Sequence, residues 1–409
     1  MRSRWLSLLV VSALALSACS DSDTSWKSPG SGTSGGPAES KKIPISSPAD
    51  GAKDVSTALD LVFNAPESAE VTLKDASGAT ITGNAVDQQP SKSASSASPA
   101  GPSAEASAPA ADGVHWVPDK QLKWATEYTA TVKADGATGE VKFTTMAKPS
   151  NLVRVTSQVG DNQVVGVGMP MILNFANDVP KDARAAVQRR LFMSSDPPQE
   201  GSWNWFSAKE VHYRPREYWQ AGTKLKLRAA LGGVSLGNKS YAQQDLTVDA
   251  TVGKRLIMEA DNATKKMTVT EDGVVLKTMP ISLGKPSNPS DSGNFIVMVK
   301  NEWEWFDSST YGVPVDSPDG YRTKVQFPQR ITWSGQYIHA APWSVSDQGK
   351  RNVSHGCVNI SLELGQWLYG VTHIGDPVIV KGTEERVKYG DGWTDWELSW
   401  DQYVKGSAL

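Results

Sequence analysis

Cysteine is almost missing from this chain: there are two in 409 residues, Cys19 and Cys357. No C-x-x-C and no H-E-x-x-H occurs, and no carboxylate pair lies near His339, His355 or His373, so a structural zinc or a zinc hydrolase is not indicated. An excess of one charge is missing as well. The 41 Lys and Arg stand against 44 Asp and Glu, net −3, without a long basic run, which gives nucleic acid no electrostatic footing. Long apolar runs are missing too. Leu6 to Leu16 is too short for a stable transmembrane helix, and behind Arg2 and Arg4 it marks residues 1–18 as a secretion signal.

What is present begins where that run ends, in "LSAC" (16–19), which resembles the lipobox of bacterial lipoproteins. The resemblance implies that Cys19 is diacylated and becomes the mature N-terminus, placing the protein on the outer face of the cell membrane. Residues 19–43, rich in Gly, Ser and Pro, bury too little apolar surface to fold and suit a flexible tether reaching into the wall. With Cys19 taken by lipid, Cys357 has no disulfide partner within the chain. An unpaired thiol outside the cytoplasm is a liability unless it is buried or used.

Residues 44–147 show short alternating runs, "LDLVF" (60–64), "AEVTL" (69–73), "YTATVKA" (128–134) and "GEVKFTT" (139–145), between Gly, Pro and Asp turns, as a β-sandwich requires. A Ser/Ala/Pro tract at about 88–112 is expected to be a disordered insert. Residues 148–252 repeat part of the pattern: "VHWVPDKQLKWATEYTATV" (114–132) aligns with "VHYRPREYWQAGTKLKLRA" (211–229), pairing Leu122 with Trp219 and Ala125 with Gly222. Two tandem immunoglobulin-like sandwiches are expected, with His115 and His212 in equivalent structural places. From 253 to 382 hairpins surround one clear helix, "SLELGQWLYG" (361–370) with a Ser cap, so the fold class is mainly β throughout. The aromatic stretch 383–409 is expected to pack back onto this third module.

In "SHGCVNIS" (354–361), Cys357 has three readings: a buried small hydrophobe, a zinc ligand without enough partners, or a nucleophile. A nucleophilic thiol, with an ordinary pKa of about 8.5, needs a base. His355 is tied too closely to align with sulfur and substrate together. His339, on the strand "QYIHAAP", can meet Cys357 across strands, and Gly356 lets its own N–H approach a substrate oxygen.

His339, fourteen residues and then "SHGCVN" resembles the H-x(14–17)-[S/T]-H-G-C-h-N signature of the L,D-transpeptidases. "ISLGKPSNPSDSGNF" (281–295) and the lid-like "SSTYGVPVDSPDGYRT" (308–323) extend the resemblance over about 254–409, in the arrangement of actinobacterial lipoprotein members with immunoglobulin-like domains. It implies an acyltransferase of YkuD type, without cofactor or metal and expected as a monomer, acting on peptidoglycan stems. Cys357 would attack a tetrapeptide at its third residue, expel D-alanine, and pass the acyl group to a diaminopimelic acid amine of a neighbouring stem. In the same resemblance His339 is the base, oriented by the Ala340 carbonyl, and Tyr321 with the N–H groups of Gly356 and Cys357 holds the oxyanion. His355 and Asn359 shape the site, Ser334 and Trp343 lie beside it, and carbapenems acylate the cysteine. Phe306 stands where relatives often carry Met, and Trp303 and Trp305 are expected to pack within the lid. Hydrolysis of the same acyl-enzyme, or stem binding without turnover, are the alternatives.

Overall fold

The computed structural model describes residues 41–86, 113–318 and 320–409. The signal, Cys19, most of the tether and the 88–112 tract lie outside the described residues. Alternation governs the first sandwich: along Glu127–Ala134, Tyr128, Ala130 and Val132 are buried. The strand pairs antiparallel with Ala137–Thr145 across Asp135-Gly136, both at positive φ (48° and 77°), the tight hairpin turn that asparagine, aspartate and glycine allow. These strands centre a five-stranded sheet, which faces a four-stranded sheet ordered Ile45–Ser47, Leu61–Phe63, Val114–Pro118, Gly83–Val86.

The second sandwich repeats this plan. Its sheet Val155–Ser157, Met171–Phe175, Glu210–Pro215, Gly201–Trp205 puts His212 on the third strand, as the first puts His115. Equivalent joints recur: Leu122 N–H donates to Thr57 O at 3.0 Å, and Trp219 N–H to Val167 O at 2.9 Å. Ala125 and Gly222 both sit at positive φ, 48° and 83°. The two sandwiches are bolted together. The Arg190 guanidinium donates to the carbonyls of Ala58 and Leu59 at 2.8 and 2.9 Å, and Thr57 Oγ1 to Gly232 O at 2.6 Å.

In the third module a six-stranded sheet, with Leu256–Asp261 beside the parallel Pro377–Lys381, packs on a second sheet that carries the site. Met258, Val269, Phe295, Ile338 and Ile360 fill the layer between them. Helix Leu362–Val371 closes this core, its start capped by the Ser361 hydroxyl, which accepts from Leu364 N–H at 3.3 Å. No hydrophobic break separates this module from the second sandwich, because Ile296, Met298 and Trp393 join the same apolar cluster as Met169 and Trp219. The approach is close enough that a Cβ on Gly166 would stand 2.1 Å from Asp376 N.

The C-terminal segment meets more than the expected partner. It packs on the third module, where strand Glu385–Arg386 pairs with Asp291–Ile296 and Val387 enters the core, and it packs on the second sandwich as well. Asp395 accepts from His212 Nδ1–H at 2.8 Å, Asn204 donates to Tyr403 O at 2.7 Å, and Trp396 donates to Gly168 O at 2.7 Å. Arg214, fully buried, lies under the rings of Trp396 and Tyr403 at 4.3 and 4.2 Å. Contacts to the third module include Glu397 accepting from Asn294 Nδ2 at 2.9 Å.

Candidate active site

The strand Tyr337–Ala340 runs parallel to Val358–Ile360, with His339 opposite Asn359. Side chains two residues apart on extended chain share a face, so Cys357 and Asn359 look the same way as His339. All three line one cavity of about 290 Å3. His339 is 4% exposed and Cys357 9%. His339 Nδ1 lies 2.9 Å from the Ala340 carbonyl oxygen. A carbonyl only accepts, so Nδ1 carries the hydrogen and the ring's lone pair sits on Nε2. The imidazole is walled by Phe306, edge-on at 5.2 Å, and by Trp343 at 6.1 Å.

That enclosure sets the protonation states. Burial pulls His339 down to about 4, against which the Ala340 carbonyl acts only partly. Burial pushes the Cys357 thiol up to about 12, with the Tyr337 backbone N–H opposing it weakly. Both groups are therefore neutral at pH 7, and the thiol donates to Gly335 O at 3.8 Å. A neutral thiol beside a neutral base favours proton transfer during attack over a preformed thiolate.

The loop bearing the thiol is held from three sides. Gly356 adopts φ 114°, a conformation that favours glycine. Ser354 Oγ accepts from Gly356 N–H at 3.2 Å and donates to Cys357 O at 2.7 Å. Ser290 Oγ donates to Gly356 O at 2.7 Å and accepts from Gly284 N–H at 2.9 Å.

Residues 255–380 match the L,D-transpeptidase catalytic domain, and residues 97–235 the bacterial Ig domain. L,D-transpeptidase 2 of Mycobacterium tuberculosis is 38% identical over 302 residues, covering 73% of this chain and 73% of its own. The chain belongs to the L,D-transpeptidase family. L,D-transpeptidase 1 of the same organism is 39% identical over 219 residues, 54% of this chain and 81% of its own. A solved L,D-transpeptidase in complex with imipenem is 36% identical and covers 57% of this chain and 100% of its own, at a TM-score of 0.49.

Within this L,D-transpeptidase several expected site residues sit elsewhere than the sequence suggested. Gly356 N–H is already donated to Ser354 Oγ, so it is not an open oxyanion donor; the glycine serves backbone conformation instead. Ser334 does not line the cavity. Its N–H and hydroxyl donate to the Asp391 carboxylate at 2.7 and 2.6 Å, which ties the C-terminal segment to the turn whose Gly335 carbonyl faces the thiol. Trp303 and Trp305 are not packed in the lid but half-exposed, because strand Trp303–Asp307 turns them outward and Phe306 inward. Tyr321 and His355 meet at the cavity mouth with ring centroids 5.5 Å apart, and His355 Nε2 lies 3.0 Å from Lys285 Nζ. Asn359 Nδ2 donates to Ser344 Oγ at 3.1 Å, while its buried Oδ1 has no partner among the described residues. Thr323, Val325, Val353 and Ser354 complete the lining. Thr323 and Val325 follow Tyr321 at the strand period of two, a signal that could have found them, and Ser290 lies in the segment 281–295 that carried the resemblance.

Proposed function

We propose that this L,D-transpeptidase joins two third-position diaminopimelic acid residues of peptidoglycan through a thioester on Cys357. The carrying observation is that Cys357 and a tautomerically locked His339 share the face of one parallel strand pair and one cavity. In the acylation step the Cys357 proton passes to His339 Nε2 as sulfur bonds to the third-residue carbonyl carbon. The Cys357 N–H and the Tyr321 hydroxyl stabilise the oxyanion, and the orphan Asn359 Oδ1 accepts from a substrate N–H. Collapse breaks the amide bond, and D-alanine leaves with the proton held by His339. The acceptor's side-chain amine then gives its proton to His339 and bonds to the thioester carbon. Sulfur departs and is reprotonated, which restores the resting pair.

The test supplies the protein with disaccharide-tetrapeptide and follows D-alanine and products by mass spectrometry. Dimers cross-linked between third residues are expected. Tripeptide without dimer would make the enzyme a carboxypeptidase, and intact substrate would sink the catalytic reading. The same thiol is the expected site of a carbapenem adduct, read as added mass on the Cys357 peptide after exposure to meropenem. For localisation the reading is a lipid on Cys19 at the outer face of the membrane. Cys19→Ala should release the protein from the membrane fraction, and unchanged partitioning contradicts the anchor.

A further inference from the structure

The lid strand Trp303–Asp307 has two faces of different character. Its inner face sends Phe306 into the cavity and places Glu304 3.4 Å from the Tyr337 hydroxyl. Its outer face presents Trp303 and Trp305, each 50% exposed. Leaving two indoles half in water forgoes the apolar burial that a lid could provide. They are also not loose. Strand Arg322–Arg330 pairs antiparallel with the lid strand and sends Lys324 over the Trp303 ring at 4.3 Å and Arg322 over Trp305 at 5.2 Å. Each cation holds its indole upright while the ring stays half-exposed.

Beside Trp303 runs a groove of about 280 Å3, lined by Glu302, Lys324, Gln326 and Phe327 as well as Trp303. An aromatic plane flanked by an amide, a carboxylate and an ammonium is the composition that recognises a sugar: the ring's C–H face stacks on indole while hydroxyl and acetamido groups meet the polar side chains. Position agrees with chemistry. The groove backs directly onto the strand that lines the donor cavity, and the peptides on which this family acts hang from a sugar backbone.

We infer that the Trp303 groove binds the glycan backbone of peptidoglycan while the attached stem peptide enters the cavity behind it. The inference rests on the transpeptidase reading above for its choice of polymer. The lid thereby gains a second role, because it also holds the glycan strand that bears the donor.

Chitotetraose, a peptide-free oligomer of N-acetylglucosamine, is titrated into the full chain and followed by calorimetry, and acylation is measured with free tetrapeptide and with glycan-attached tetrapeptide. Wild type and Trp303→Tyr should bind chitotetraose, and Trp303→Ala should not. In Trp303→Ala, KM for the glycan-attached donor should rise about tenfold, the loss of one stacking contact, with kcat and free-tetrapeptide kinetics unchanged. Absence of chitotetraose binding in wild type, or equal binding by Trp303→Ala, overturns the groove. An equal loss on both donors also overturns it, since that reports a disturbed lid. Should wild type release no D-alanine from either donor, the catalytic reading fails while the titration still decides the groove.

Discussion

His339 is an unusual base for its surroundings, since burial holds it at about 4, below the 6.5 of an exposed imidazole. It must be neutral to take the thiol proton, so the acid limb of single-turnover D-alanine release should fall near pH 4 to 5. A limb at 6.5 or above would contradict the enclosure by Phe306 and Trp343. The same shift bears on stability. Because the folded state resists protonation, stability is intact above 6.5 and is lost as pH falls through 4, by up to about 3 kcal/mol. His339→Ala should lower acylation by ~10²–10⁴-fold and Cys357→Ala should abolish it, as D-alanine release will show. Ser290→Ala removes a partner from two buried groups, Gly356 O and Gly284 N–H. About 1–3 kcal/mol of stability should go with it, measured by denaturant unfolding.

At the scale of elements, the sheets and the catalytic strand pair were legible because alternating burial and turn residues agree with each other along most strands. The repeat was legible to the residue: Ala125 and Gly222, aligned by sequence, share a left-handed backbone. Legibility failed where a side chain broke the rule that apolar residues face inward. "WEWF" places tryptophan on the solvent face, whereas the general preference of large aromatics for packing assigns Trp303 and Trp305 to the lid interior. Gly356 was read for its N–H, whereas the structure shows a φ that favours glycine, because a sequence shows that a Cβ is missing but not whether φ or an N–H demands it. Gly356→Ala should cost about 1–3 kcal/mol from its φ of 114°, although the added methyl would meet nothing nearer than 3.6 Å. Chemical denaturation with parallel acylation assays would separate strain from a displaced thiol.

Across the whole molecule the unexpected feature is a second partner for residues 383–409 beside the third module. Their aromatics announced burial, but the partner was hidden, because it is a charged residue, Arg214, in another module. His212 stands between Asp395 at 2.8 Å and Glu210 at 2.8 Å. Burial alone would strip its proton, yet the Asp395 and Glu210 carboxylates outweigh that and raise it to about 9. Its contribution is therefore fully present below pH 6.5 and is lost as pH rises through 9. Melting temperature should decline across that interval in wild type, and the decline should shrink in Glu210→Gln. An unchanged slope would show that His212 does not carry the effect.

Arg190 fastens the first sandwich to the second, and the shared apolar cluster with the C-terminal strap fastens the second to the catalytic module. Cys357 is thus carried on a module tied to the second sandwich and through it to the first. Under the anchor proposed at Cys19, lengthening or shortening the segment ahead of Lys41 should move the layer in which cross-links form, leaving the chemistry at the thiol untouched.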